Sequence, residues 1–399
     1  MSRRRLELVR HGVNAVAAVA PQLFALLLLE TDQYGAFSLV YLVYALGNSV
    51  VCSSVAEASS RTSRREGEDD TWADYSAVLA YVSLAVGLLA GAAAIVVNMP
   101  IVGALVSVLA VGAGAWRFGS RYWQVRRREI GRALLGDVLC LIGISASWLV
   151  VLLSGGARTA TTAAACWAIG LVLASAVSRR PTIRGWRILR AWWATHTESI
   201  KALQGESALM DLGSIGTPLV TALFLPIDQF GIYRAMTSVG APVGLILDPL
   251  RPVLARVRSE ALLGPRLRIA VGVTGIGLGV AVAAALAAAG RWELPVATIV
   301  ALSGYFLAAG VYVAGSMIGH YYYLVVRLVA SGSWLMRMRI IQTTLVGVLP
   351  IAGAAIAGLV GAVWGLAVAV LVSGSGWAVV GLLAGRRVRV AGQDPAEIR

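Results

Sequence analysis

Runs of about 20 apolar residues recur from one end of the chain to the other, and this pattern governs what the chain can fold into. About 20 residues of helix are needed to cross the hydrocarbon core of a bilayer. Backbone groups inside lipid must be hydrogen-bonded within their own segment, so runs of this kind become helices rather than loops or open sheets. Twelve runs are legible, at about 9–29, 36–56, 76–97, 100–116, 133–153, 160–177, 209–226, 234–254, 269–289, 295–317, 340–357 and 362–384. The tightest joints between them are Asn98-Met99-Pro100 and Gly358. Only 14% of the 399 residues are charged and 58% are hydrophobic, whereas soluble domains carry roughly 25% charge. With a mean hydropathy of +0.77, a water-soluble globule, a fibrous chain and a disordered one are all excluded. The expected class is an all-α polytopic membrane protein with about 12 transmembrane helices.

The arginines give the topology. With the N-terminus placed inside and the spans alternating, every basic residue of the 34 except Arg158, Arg234 and Arg291 falls on an inside segment. This is the asymmetry expected of cytoplasmic loops, and it accounts for the net charge of +14 without nucleic acid. Both termini are therefore expected in the cytoplasm. The scarcity of lysine beside abundant alanine and glycine suggests a bacterial coding sequence, and hence the plasma membrane. Arg3-Arg4-Arg5 precedes the first apolar run, but Glu30-Thr31-Asp32-Gln33 follows it. A small-residue cleavage site is missing there, so the run reads as a retained span rather than a secretion signal. Cys52, Cys140 and Cys166 each lie in apolar sequence without a CxxC spacing and read as small hydrophobes.

The chain also repeats itself. Asp32-Gln33-Tyr34-Gly35 follows the first run, and Asp228-Gln229-Phe230-Gly231 follows the seventh, 196 residues later. Six spans separate the copies. An even number keeps both halves in one orientation, which predicts two parallel-repeat lobes related by an axis along the membrane normal, with a substrate site between them. The expected divisions are an N-terminal six-helix lobe at 1–180, a linker at 181–208 and a C-terminal six-helix lobe at 209–399. In the linker, Trp186, Leu189, Trp193, His196, Ile200 and Leu203 recur at helical spacing beside Arg187, Arg190, Thr197, Glu198 and Lys201. That is the pattern of a basic amphipathic helix lying in the cytoplasmic interface.

Enzyme signatures are missing. Lys201, the only lysine, follows Ile200, so a GxxxxGK[ST] phosphate loop cannot form. His11, His196 and His320 have no metal-ligand spacing, and neither HExxH nor GxSxG occurs. No catalytic residue, cofactor or metal is expected. The remaining candidates are polar groups inside spans, which are costly in lipid and tend to be functional. Arg10, Asn14, Pro21 and Gln22 share one face of the first span. Arg234 and Asp248 share a face of the eighth, Arg251 follows, and Pro242, Pro249 and Pro252 allow that helix to bend. Asp211, Ser214, Pro218 and Thr221 align in the seventh. Structural alternatives stand beside these: Arg10 as an interface anchor, Asp211 as a helix cap, Asp248 and Arg251 as a mutually neutralising pair. Tyr305, Tyr312, Ser316 and His320 align in the tenth span as an aromatic packing face.

These features resemble the polysaccharide-unit flippases (O-antigen translocase type) of the multidrug/oligosaccharidyl-lipid/polysaccharide exporter superfamily. Leu29-Glu30-Thr31-Asp32-Gln33-Tyr34-Gly35-Ala36-Phe37-Ser38-Leu39 is similar to that family's first outside loop and second span, and Leu225 to Arg234 is similar to the counterpart. The resemblance implies a V-shaped pair of lobes around a cationic cavity. It also implies translocation of an isoprenoid-pyrophosphate-linked oligosaccharide to the outer leaflet, by alternating access, for cell-surface polysaccharide biosynthesis. On this reading Arg10, Asn14, Gln22, Arg234 and Arg251 meet the substrate, and Asp211 and Asp248 handle a coupling H⁺ or Na⁺. Expected partners are the lipid-linked glycan, membrane lipids and glycan-assembly enzymes. Two alternatives remain open: a cation-coupled drug exporter of the same superfamily, and a non-transporting scaffold for glycan assembly.

Overall fold

A computed structural model describes residues 3–66, 70–247, 254, 259–330 and 332–391. Among these residues every regular element is a helix. The chain divides into two compact units, Met1–Asp211 and Leu212–Arg399.

The first unit contains α1 (Arg3–Leu28), α2 (Thr31–Val51), a π turn (Cys52–Ala56), α3 (Glu57–Glu66), α4 (Trp72–Val96), α5 (Ile101–Arg126), α6 (Ile130–Leu153), α7 (Ala160–Ala176) and α8 (Arg187–Asp211). The boundaries follow from local chemistry. Thr71 accepts a hydrogen bond from Asp74 N and caps α4, and Thr159 does the same for α7 through Thr162 N, each satisfying a backbone donor the helix leaves open. Asn98 takes a left-handed conformation at φ +58°, and Pro100 sits at the start of α5, which gives the tight joint expected there. The linker helix α8 docks on this unit. Trp192, His196, Ser199 and Ile200 are buried, and Trp192 and Ile200 join a cluster with Tyr75, Trp123, Val55 and Ala58. Trp186, Leu189 and Trp193, read from the sequence as part of the same stripe, are exposed instead. The stripe is therefore covered toward the C-terminal half of α8, at His196 and Ile200, and left uncovered around its first turns.

The second unit opens with a π turn (Leu212–Gly216) and continues through α9 (Thr217–Thr221), α10 (Ile227–Val239), α11 (Ala241–Leu247), α12 (Ser259–Leu262), α13 (Pro265–Arg291), α14 (Ala297–Ser303), α15 (Phe306–Val329) and α16 (Gly332–Ala391). Helix α16 is two helices joined at Ala357 and Gly358, the second tight joint expected from the sequence. Its core gathers Tyr321, Tyr322, Val325 and Trp377 with Leu262, Leu263 and Val271. The run at 295–317 was expected as one span. It is instead bent by 91° between α14 and α15, because Tyr305 leaves the helical region at φ −119°. Tyr305 therefore does not share a helical face with Tyr312, Ser316 and His320.

Six described helical stretches are long and apolar enough to cross a membrane, seven with the bent pair, and Gly12–Leu28 and Ala160–Ala176 are shorter apolar helices. The long stretch Ser333–Ala384 contains the joint at Gly358 and so accounts for two of the expected spans. Their outer faces are oily. Ile269, Val273, Ile276 and Val280 form an exposed stripe along α13, as do Leu84 and Leu88 on α4. Contiguous stripes of this kind are what lipid solvates and water does not. The helices inside each unit approach through small residues, as membrane bundles do. A Cβ on Gly87 would lie 2.7 Å from the Val108 carbonyl between α4 and α5, and one on Gly279 would lie 2.5 Å from the Gly310 carbonyl between α13 and α15. The same crossing thus occurs at the third and fourth spans of both halves.

Candidate functional site

In the first unit, α1 carries Arg10, Asn14 and Gln22. The Arg10 side chain is outside the described set. Asn14 is half-buried. Gln22 Nε2 donates to the Tyr34 hydroxyl at 3.4 Å, which ties α1 to the buried start of α2. Asp211 is the last residue of α8. The helical ladder runs on from it through the π turn at Leu212–Gly216, so Asp211 lies inside a helical stretch and not at the start of one, where the capping alternative would place it. What holds it is Ser49 of α2, whose hydroxyl donates to Asp211 Oδ2.

A second charged group in this unit was missed in the sequence. Arg117 and Arg121 look like loop charges there, but α5 continues to Arg126 and carries both into the bundle. Arg117 is 5% exposed and Asp137, on α6, is 5% exposed. Arg117 Nη2 donates to Asp137 Oδ1 at 3.0 Å and to the Ala133 carbonyl at 2.7 Å, while Nη1 donates to Gln124 Oε1 at 3.0 Å. Arg121 Nε donates to the other carboxylate oxygen, Oδ2, at 3.0 Å. Gly136 makes the space, since a Cβ there would lie 2.3 Å from Arg117 Nη2. The available signal was the four-residue spacing of the arginines opposite a carboxylate just beyond a short turn. Asp137 is saturated by two guanidinium groups, so it ties α5 to α6.

In the second unit the site is built around Arg234 of α10. It is 7% exposed. Nη1 donates to Thr237 Oγ1 at 2.9 Å. The Arg234 carbonyl accepts from the Thr237 and Ser238 hydroxyls at 2.8 and 3.0 Å. Tyr312 of α15 donates to the Thr237 carbonyl at 3.3 Å. Gly240 allows that approach, because a Cβ there would fall 2.6 Å from the Tyr312 ring. Nε of Arg234 is buried without a hydrogen-bond partner, and among the described residues no carboxylate pairs with this guanidinium. The helix breaks at Gly240, where Pro242 has no N–H to continue the ladder and α11 starts anew. A face shared by Arg234 and Asp248 therefore no longer follows from one uninterrupted helix. Asp248 and Arg251 lie outside the described residues. Among the described residues, no group of three or more His, Cys, Asp or Glu side chains could hold a metal ion.

Scanned by sequence, the chain matches no protein-family model and no curated protein. Its backbone is another matter. It superposes on a multidrug-resistance MATE family transporter of the MOP superfamily in its inward-facing conformation, with TM-score 0.62, 15% identity, 96% of this chain and 98% of that one covered. It superposes on the lipid II flippase MurJ with TM-score 0.62, 10% identity and coverage of 98% and 88%. A further MATE structure, in a straight conformation, matches with TM-score 0.50, 16% identity and coverage of 96% and 94%. The fold is that of the MOP-superfamily transporters. At these identities the likeness concerns the arrangement of helices along almost the whole chain.

Proposed function

We propose that this chain is a flippase that moves a lipid-linked oligosaccharide, carried on an isoprenoid pyrophosphate, from the inner to the outer leaflet by alternating access. The observation that carries the reading is Arg234, a buried guanidinium without a described carboxylate partner. Removing a charge from water costs several kcal/mol, roughly, unless another charge compensates it. A pyrophosphate supplies that compensation and matches the guanidinium fork with paired oxygens. Arg10, Arg251, Asn14 and Gln22 complete the proposed substrate contacts, with the uncharged pair suited to sugar hydroxyls. Asp211 and Asp248 are the proposed sites for a coupling H⁺ or Na⁺. An inside-negative potential favours outward movement of negative charge by roughly 2.3 kcal/mol per charge per 100 mV. Of the two transporter types sharing the fold, MurJ is the one named for a lipid-linked substrate.

The second reading, a cation-coupled drug exporter in a bacterial plasma membrane, is favoured by the MATE likeness. Against it, the first span has no carboxylate between Arg10 and Glu30, and an uncompensated guanidinium repels cationic drugs. A role in holding glycan-assembly enzymes is compatible with either transport reading. The test is reconstitution into vesicles with a fluorescent isoprenoid-pyrophosphate saccharide on the inner leaflet. Arg234→Gln combined with Arg251→Gln is expected to lower the translocation rate at least tenfold while the folded protein is recovered in normal yield. Unchanged translocation would remove the assigned site. Translocation of an organic cation, with none of the saccharide lipid, would replace the flippase reading with the exporter one.

A further inference from the structure

The uncovered first turns of α8 and the strap leading into them point to a ligand that the transport reading does not use. The strap climbs the side of α4. Trp72 Nε1 donates to the Arg180 carbonyl at 3.0 Å, the Thr182 N–H donates to Ser76 Oγ at 3.1 Å, and the Tyr81 hydroxyl donates to the Arg184 carbonyl at 2.6 Å. Arg184 is also paired with Asp74. Trp72 begins α4, and Tyr81 lies nine residues further on, which is about 13 Å at the helical rise per residue. Tyr81 belongs to the same stripe as Leu84 and Leu88, the exposed oily face of a spanning helix. The strap is thus tied to a membrane-crossing helix from its end to well inside it, and α8 departs from that level.

What the strap and α8 present there is amphipathic. Ile183 is 96% exposed and Trp186 63% exposed, with Leu189 and Trp193 also outside the protein contact. On a helical wheel Leu189 and Trp193 share their stripe with His196 and Ile200, which are buried further along, so α8 is covered toward its C-terminal half and leaves Trp186, Leu189 and Trp193 uncovered around its first turns. Arg190 and Lys201 follow next, bordering the stripe, and Arg187 lies beyond them. Arg180, Arg187, Arg190 and Lys201 are exposed and have no carboxylate partner among the described residues. Arg190 also lies over the Trp186 ring at 5.8 Å. Apolar rings at the depth of a spanning helix, bordered by cations without counter-ions, fit a leaflet whose headgroups are negative.

We infer that the strap and the first three turns of α8 form a docking surface for anionic phospholipid, with Ile183, Trp186, Leu189 and Trp193 in the acyl boundary and Arg180, Arg187 and Arg190 on the phosphates. The occupant is lipid rather than a protein partner, because the surface continues into the lipid-facing stripe of α4. The inference is independent of the transported substrate, since it concerns the surface of one unit.

The experiment places a nitroxide at Ile183→Cys, and a control at Ala194→Cys on the polar side, in the full chain with Cys52→Ala. The protein is reconstituted in discs of phosphatidylcholine alone or phosphatidylcholine with phosphatidylglycerol at 3:1. Collision of the label with oxygen and with a water-soluble nickel chelate reports its depth. In the mixed discs the residue-183 label is expected to meet the chelate at least threefold less often than the residue-194 label. Arg180→Gln, Arg187→Gln and Arg190→Gln together, or omission of phosphatidylglycerol, are expected to raise its chelate contact at least twofold. A second readout, co-purification of phosphatidylglycerol over phosphatidylcholine from mixed micelles, is expected to fall at least twofold in the triple variant. A residue-183 label equally open to water in both discs overturns the inference. So does a label that is buried but indifferent to lipid charge and to the three arginines, which would leave apolar contact without headgroup recognition.

Discussion

The side-chain carbonyl of Gln33 accepts a hydrogen bond from the backbone N–H of Ala160 at 3.0 Å, so a residue in the first turn of α2 closes the first turn of α7. Its repeat counterpart, Gln229, stands near Gly358, where a Cβ would lie 3.9 Å from Gln229 Oε1. Gly358 is where the last span begins. The conserved feature of the two halves is therefore a glutamine at the start of the second span placed against the start of the sixth. The Asp-Gln motif is the sequence trace of that contact.

Replacing Gln33 by alanine removes the acceptor and leaves a buried helix donor open. The expected loss is about 1 kcal/mol, the net value of one such bond. Gln33→Glu keeps the acceptor at a helix N-terminus, where negative charge is favoured, but loses the bond that the Gln33 amide gives to Asp32 Oδ2 at 2.9 Å and sets two carboxylates together. Thermal unfolding in a fixed detergent should rank both Gln33→Ala and Gln33→Glu below wild type.

Gly358 has φ +57° and ψ −139°, a region reserved almost entirely for glycine. Gly358→Ala is expected to cost about 1–3 kcal/mol. Asparagine should not rescue it, because Asn tolerates the left-handed helical region and this ψ lies far from it. The check is the yield and melting temperature of both variants; an asparagine variant as stable as wild type would show that the joint relaxes into another turn.

The buried ions in the first unit give a sharper contrast. Asp137→Ala leaves Arg117 buried and unpaired, a change expected to cost about 3–5 kcal/mol. Replacing both partners, Arg117→Met with Asp137→Leu, removes the stranded charge, and Arg121 is exposed enough, at 18%, to turn toward water. The double variant should be more stable than Asp137→Ala alone. Chemical unfolding of wild type, Asp137→Ala and the double variant tests it, and a double variant no better than the single one would assign the group a packing role that exceeds its charge balance.

These contrasts show what the sequence could carry. The helical class, the short joints at Asn98 and Gly358, and the duplicated motif were legible because each rests on a local rule: hydrophobic length, a turn residue, a repeat at fixed offset. Arg117 and Asp137 were not, because a buried ion pair is a tertiary fact. Counting Arg117 as a loop charge was blind to its burial. Trp192 escaped the linker stripe for a related reason. A helix apolar over a wide arc does not reveal how far along its length the protein covers it. The bend at Tyr305 interrupts a run whose composition reads as continuous.

The buried end of α8 supplies a pH dependence. His196 is 2% exposed, with Nε2 3.3 Å from Asp70 Oδ1 and Nδ1 2.9 Å from Thr62 Oγ1. Thr62 in turn meets Ser199 at 3.1 Å, and Ser59 donates to Asp70 Oδ2 at 2.5 Å. Burial pushes the Asp70 carboxyl up, but hydrogen bonds from His196 and Ser59, with the charges of His196 and Arg126, outweigh it and hold it below its ordinary value. A carboxylate depressed in the folded state adds stability above its unfolded pKa of about 3.9, and that stability is lost as pH falls through the lower folded value. The docking of α8 should thus be insensitive to Asp70 protonation at neutral pH and weaken in acid below about pH 4. Protection from hydrogen exchange across residues 190–203, taken relative to the intrinsic rate at each pH, is expected to fall there in wild type. In Asp70→Asn the protection should be lower at neutral pH already, with a smaller further change in acid. Equal acid sensitivity in the two proteins would move the titration to another group.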